Sequence, residues 1–221
     1  MIGLKVYINF ICFFILILVY FYLKVKINMI YLVRHGQTDW NTIRRIQGQT
    51  DIPLNDVGKH EAFLSGKKLA SIKIDKIISS DLLRAKETAE IINRFLSRSI
   101  TFDTRLREIN FGDLQGMLSN HISEETWNVF NHHSDEFHAE SLADLYKRVK
   151  SFFDELDECQ NTLIVTHGGI IRMTMYYAAN RNNFNQAEFE KHFLDIRIKN
   201  TEIFSWDKSK GSSIFNTINS I

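Results

Sequence analysis

One pattern occurs twice in this chain and constrains its fold more than any other. Residues 30–33 (Ile-Tyr-Leu-Val) pass into Arg34-His35-Gly36, and residues 162–165 (Thr-Leu-Ile-Val) pass into Thr166-His167-Gly168-Gly169. Short apolar runs bounded by turn residues read as buried strands. Two more such runs follow the first: residues 74–78, ending in Ser79-Ser80, and residues 100–102. A last strand is expected within residues 196–206. Helical spacing fills the intervals. One helix opens at Asp56 or Gly58, with Ala62, Leu64, Leu69 and Ala70 as its apolar positions. A second, with Asp81 as its cap, runs to about Phe95 through Leu82, Ala85, Ala89 and Ile92. Residues 142–156 place Leu142, Leu145, Val149, Phe152 and Phe153 on one side, and residues 170–179 form the helix that follows the second His-Gly turn. Alternating strands and helices predict an α/β fold with a mostly parallel sheet. Ligand sites of such sheets lie beyond the carboxyl ends of the strands, so both His-Gly turns are expected at one edge.

Two segments fall outside this alternation. Residues 110–140 hold four histidines with several Asn and Ser and have weak periodicity, which reads as an excursion or lid. Residues 6–23 are 18 consecutive uncharged residues, bracketed by Lys5 and Lys24, with Tyr7, Tyr20 and Tyr22 near the two ends. That run is long enough for a transmembrane helix. Two readings stand side by side: a membrane anchor, with the remaining domain facing the cytoplasm, or an upstream stretch translated from a misplaced start, since Met29 already opens a strand. The expected organisation is a hydrophobic segment 1–28 followed by one domain over 29–221.

Residues 1–28 carry three lysines and no acid, leaving 24 basic and 26 acidic residues in the remainder. A slightly negative domain argues against a nucleic-acid footprint but permits a local basic pocket for a small anion. Cys12 and Cys159 form neither a disulfide framework nor a zinc pattern. The spacings of His121, His132, His133 and His138 match no metal motif, so no metal or other cofactor is expected. Oligomeric state is not legible.

The chemistry-bearing residues sit at or just beyond strand ends: Arg34 and His35 after the first, Arg84 after the second, Glu108 after the third and His167 after the fourth. Two guanidinium forks match the oxygens of a phosphate. A His can act as a nucleophile, and a Glu beside the leaving oxygen can serve as general acid and then as base for water. With two arginines and a second His, the charge of a transferring phosphoryl group needs no metal.

Four blocks in order resemble the signature of the histidine phosphatase superfamily, also called the phosphoglycerate mutase-like family. They are residues 31–41 (Tyr-Leu-Val-Arg-His-Gly-Gln-Thr-Asp-Trp-Asn) with their continuation through Gly58, residues 79–89 around Arg84, residues 106–112 around Glu108, and residues 165–169 around His167. The resemblance implies a three-layer fold with helices on both faces of the sheet. It implies that His35 attacks phosphorus, that Arg34, Arg84 and His167 hold the phosphoryl group, and that Glu108 protonates the leaving group. Asn41 and Gln47 would line the phosphate pocket, with Arg45 a further candidate, and Thr38 would support the first loop. His35 must be neutral to attack, so its other ring nitrogen is expected to donate to a carbonyl. Four departures stand out: Gln37 where Glu is common, Asp81 where Pro is frequent, no Glu in Leu114-Gln115-Gly116, and Phe137-His138-Ala139-Glu140-Ser141 where a Gly-Gly-Glu-Ser turn is frequent. None touches the core residues.

Mutases of this family carry a longer insertion between the Glu block and the second His block. Here Glu108 and His167 are 59 positions apart, which favours a phosphatase acting on a small phosphate ester. The alternatives are phosphoglycerate mutase-type transfer and a membrane-tethered binding module with little turnover. Trp127, Phe130 and Phe137 either shape the leaving-group pocket or form core beneath the lid.

Overall fold

The computed structural model describes residues 29–157, 160–180, 183–208 and 215–218. The hydrophobic segment 6–23 and both cysteines lie outside them. Among the described residues, no helix is long and apolar enough to cross a membrane.

Six strands form one sheet: β1 (Met29–Arg34), β2 (Lys76–Ser79), β3 (Ile100–Phe102), β4 (Thr162–Thr166), β5 (Ile203–Asp207) and β6 (Phe215–Thr217), in spatial order β3-β2-β4-β1-β5-β6. β3, β2, β4 and β1 run parallel, β5 runs antiparallel to β1, and β6 runs antiparallel to β5. The helices are α1 (Asp39–Thr42), α2 (Asp56–Leu69), α3 (Leu83–Leu96), α4 (Glu124–His132), α5 (Leu142–Glu155), α6 (Gly168–Ala179) and α7 (Gln186–His192).

Strand alternation sends successive side chains to opposite faces. Tyr31, Val33, Leu163 and Val165 pack with Leu69 of α2 and Ala85, Ala89 and Ile92 of α3. Ile30, Leu32 and Ile164 pack on the other face with α5 and α6, through residues such as Phe152, Phe153, Ile170 and Tyr176. The result is the expected three layers. β4 is buried along its whole length, so its side chains serve both cores.

The structure corrects two local expectations. Leu64 is 43% exposed rather than part of the α2 apolar face. α2 buries Gly58, Ala62, Ser65 and Gly66 instead. A Cβ on Gly66 would lie 2.4 Å from the Phe95 ring of α3, so small residues set that close helix approach. Asp81 does not cap α3. The N-cap is Leu82, which makes no side-chain cap bond; Asp51 Oδ1 accepts from the Leu83 N–H at 2.6 Å, and Asp81 pairs with Arg107. The weakly periodic segment 110–140 contains α4 and three 3₁₀ turns. β6 pairs with β5 at the sheet edge.

Candidate active site

Register brings the two His-Gly turns together. Arg34 pairs with Thr166 in adjacent parallel strands, so His35 and His167 follow at the same level. The His35 N–H donates to the Thr166 carbonyl at 2.9 Å. The two imidazoles lie 5.2 Å apart between ring centroids, and both are buried. His35 Nδ1 lies 2.7 Å from the Gly36 carbonyl oxygen. A carbonyl only accepts, so Nδ1 carries the proton and Nε2 keeps its lone pair. Burial holds the His35 imidazole well below its usual pKa, and the Arg84 and Arg34 charges push it further down. Burial and then the Arg84 charge do the same to His167. Both rings are therefore neutral at pH 7. Gly36 is required by space: a Cβ there would lie 2.4 Å from the Gly58 backbone oxygen.

Arg84, in the first turn of α3, is fully buried. Its Nη1 donates to the Thr50 carbonyl at 2.9 Å and its Nη2 to the Gly48 carbonyl at 2.6 Å. Burial lowers its pKa to about 10, against the opposing pull of Glu108 and Asp51, so it stays cationic at pH 7. Arg34 Nη1 donates to the Ile198 carbonyl at 2.6 Å. Among the described residues, Arg34 Nε, Arg84 Nε and His167 Nδ1 are buried without a hydrogen-bond partner. An unmatched buried donor costs about 1–3 kcal/mol. Three such nitrogens beside the His35 imidazole mark a place suited to an anion.

Glu108 follows β3 and a 3₁₀ turn (Thr104–Leu106). Its carboxylate accepts from the Gly169 N–H at 3.1 and 3.2 Å and from the Ile109 N–H at 3.1 Å. It thus stands in for the side-chain cap that α6 lacks. A Cβ on Gly169 would lie 2.3 Å from Glu108 Oε1. Behind this loop, Arg148 Nη1 donates to the Arg105 and Arg107 carbonyls at 2.7 Å each, while Nε and Nη2 form a fork with Glu140 at 2.8 and 2.6 Å. The Gln49 side chain donates to the Glu108 carbonyl at 3.1 Å.

A cavity of about 440 Å³ joins these groups, with Arg34, His35, Asn41, Gln47, Arg84 and Glu108 in its wall. Asn41 Oδ1 accepts from the Thr38 N–H and hydroxyl at 3.1 Å each, in a capping box that fixes α1. Its amide N–H₂ is the group left for the cavity. Gln47 is buried, and its Oε1 is unpartnered. Arg45 also lines the wall, its guanidinium 5.3 Å from the Trp40 ring centroid. All seven expected site residues therefore converge, six on the wall and His167 against His35.

Three residues escaped the sequence reading. Ser80 Oγ lies 2.8 Å from His167 Nε2; its position within the Arg84 block was the available signal. The Asn200 side chain donates to the His35 carbonyl at 2.9 Å, from a loop 165 positions away that carried no signal. Arg172 lines the cavity from the first turns of α6, a single helical turn after His167. Among the described residues, no group of three or more His, Cys, Asp or Glu could hold a metal ion.

The geometry is matched by relatives. A family model described as histidine phosphatase superfamily (branch 1) matches residues 30–211. A protein of Salmonella arizonae named probable phosphoglycerate mutase GpmB is 42% identical over 148 residues, covering 63% of this chain and 69% of its own. A mycobacterial glucosyl-3-phosphoglycerate phosphatase superposes with TM-score 0.69 at 25% identity, over 86% of this chain and 97% of the other. A phosphoglycerate mutase from Thermus thermophilus gives TM-score 0.62 at 29% identity, over 81% and 92%. With the family model matching most of its length and its imidazoles, guanidiniums and carboxylate gathered at one sheet edge, the chain belongs to the histidine phosphatase superfamily.

Proposed function

We propose that this protein hydrolyses small phosphomonoesters through a phosphohistidine intermediate. The observation that carries the proposal is the set of unpaired buried nitrogens of Arg34, Arg84 and His167 around a neutral His35. Two fixed cations, with the His167 imidazole in the tautomer that accepts from the Ser80 hydroxyl at Nε2 and carries its proton on Nδ1, match the equatorial oxygens of a phosphoryl group in flight.

His35 Nε2 attacks phosphorus, and the bond from phosphorus to the ester oxygen breaks. As Nε2 loses its lone pair, the ring becomes cationic, and its Nδ1–H remains bonded to the Gly36 carbonyl. Glu108, entering this step as the carboxylic acid, delivers its proton to the departing oxygen, releasing the alcohol. Glu108, now a carboxylate, takes a proton from water, whose oxygen attacks the phosphohistidine. The phosphorus–nitrogen bond breaks, His35 regains its lone pair, and phosphate leaves. Arg34, Arg84 and the His167 imidazole stabilise charge in both steps, and Asn41 and Gln47 orient the group. Because the arginines supply the positive charge, this chemistry calls for no metal.

The mutase alternative has one specific support, the 42% identity to a relative named as a probable phosphoglycerate mutase. The 59 positions between Glu108 and His167 favour hydrolysis. The test is phosphate release from a panel of monoesters in the presence of EDTA, beside His35→Ala. Turnover that survives the chelator and vanishes in the variant supports the reading. Turnover seen solely as isomerisation of phosphoglycerate after a bisphosphate primer overturns it for the mutase. Ligand binding without turnover of any ester overturns it for a binding module.

A further inference from the structure

A second and larger cavity, of about 660 Å³, adjoins the phosphate cavity. Phe111 and Arg172 line both. Gly169, whose N–H holds the Glu108 carboxylate, lies in the wall of the larger one. Glu108 therefore stands at the junction. In an in-line displacement the leaving oxygen departs opposite the attacking nitrogen and, on the proposed reading, next to Glu108. The rest of the leaving group then extends into the second cavity.

That cavity has the chemistry of a site for an apolar molecule. Its size falls in the usual range for ligand pockets, roughly 300–1,000 Å³. Trp127 and Phe130 of α4 meet Phe111 as an aromatic cluster, with ring centroids 5.4–6.2 Å apart. Leu142, Leu145 and Phe189 complete the apolar wall. Among the described residues, its charged groups are one cation, Arg172, at the junction, and three carboxylates, Glu124, Glu125 and Asp195, all exposed. Anionic ends of a leaving group would meet those carboxylates, while neutral apolar ends would bury surface against the rings.

Resting on the proposed phosphatase reading, we infer that the substrates are phosphomonoesters of bulky, apolar, uncharged alcohols rather than of small hydroxy acids. Arg172 meets the polar atoms nearest the phosphate, and the α4 aromatics hold the far end.

Three esters of primary alcohols, similar in leaving-group acidity, separate the possibilities: 4-phenylbutyl phosphate, glycerol 1-phosphate and 3-phosphoglycerate. With the full chain, kcat/KM for 4-phenylbutyl phosphate is expected to exceed that for 3-phosphoglycerate by at least about tenfold, the scale of discrimination an apolar pocket supplies. Trp127→Ala is expected to lower kcat/KM for the phenylbutyl ester through KM by about tenfold more than for glycerol 1-phosphate. Glu125→Lys, a change on the exposed face of α4 that spares the fold, is expected to shift the ratio toward 3-phosphoglycerate. Equal or better turnover of 3-phosphoglycerate by the unmodified chain, or equal losses on all esters in Trp127→Ala, overturns the inference. Absence of turnover on every ester overturns the phosphatase reading instead. In that case calorimetric binding to His35→Ala still decides the cavity: tighter binding of 4-phenylbutyl phosphate than of 3-phosphoglycerate supports it, and the reverse order overturns it.

Discussion

The two adjoining cavities are built in opposite ways. The smaller is polar, and its key groups are held by backbone. His35 and His167 follow paired residues of β1 and β4, Arg84 is pinned by two carbonyls, and Glu108 rests on the Gly169 N–H of α6. The larger is apolar, and its walls come from α4, α5, α6 and α7, elements that share no strand register. Hydrogen bonds are directional, so a backbone-held site fixes angles as well as distances. Apolar contact is not directional, so a side-chain-walled cavity fixes volume and polarity but tolerates exchange of residues. On the proposed reading, a fixed phosphoryl site beside an adjustable leaving-group cavity fits that division of labour.

Breaking the polar side should have the largest effects. His35→Ala removes the nucleophile, and phosphate release is expected to fall by roughly 10⁴-fold or more; a residual rate within tenfold of the parent would sink the covalent mechanism. Glu108→Gln is expected to cost roughly 10²–10⁴-fold on alkyl esters. The loss should be much smaller on p-nitrophenyl phosphate, whose leaving group needs little protonation; equal losses on both would remove the acid role. Gly169→Ala should mimic this pattern, because its methyl would occupy the place of Glu108 Oε1.

Arg84→Lys keeps the charge but not the fork, and its expected cost is roughly 10²–10³-fold in kcat. A change in KM alone would assign Arg84 to ground-state binding. Glu140→Gln breaks the Arg148 fork behind the Glu108 loop. Because Glu140 acts through Arg148, losses of about 10–100-fold are expected, alike for bulky and small esters. A loss confined to bulky esters would instead place this pair with the apolar cavity.

The smallest effect concerns stability. His35 and His167 are held below their unfolded pKa, so below about pH 6.5 the unfolded chain binds more protons than the folded one. Above that pH the two groups contribute no slope. As pH falls below it, stability declines by up to about 1.4 kcal/mol per pH unit for each site, levelling off below the folded pKa. Thermal unfolding across pH 4–8 measures this, and the slope should flatten in His167→Gln. An unchanged slope in that variant would mean that the His167 imidazole is not held neutral.

The polar cavity was far more legible than the apolar one. Arg34, His35, Arg84, Glu108 and His167 each sit in a contiguous block at a strand end, where residue type and neighbours speak together. Asn41 and Gln47 belong to the continuation of the first block. Ser80 lay within a block but was given no role, and Asn200 had nothing beside it to mark it. Trp127 and Phe130 were noticed without a decision between core and pocket. Phe130 is buried in the core and also lines the cavity, so the two readings were not exclusive. Leu64 and Asp81 misled because helical period and capping preference are local signals. Gly66 meeting Phe95 and Arg107 meeting Asp81 overrode them.

The chain by itself determined the alternation of strand and helix, the edge at which the His-Gly turns emerge, and the residue types of the phosphate pocket. Those follow from periodicity and from short motifs, which act over a few residues. Tertiary structure alone decided which strands became neighbours, and hence the 5.2 Å approach of the two imidazoles. It also decided the seating of Glu108 on α6, the reach of Asn200 to His35, and the size and lining of the second cavity. Those depend on contacts between residues tens to more than a hundred positions apart, and no local pattern encodes how side chains from separate helices share a volume.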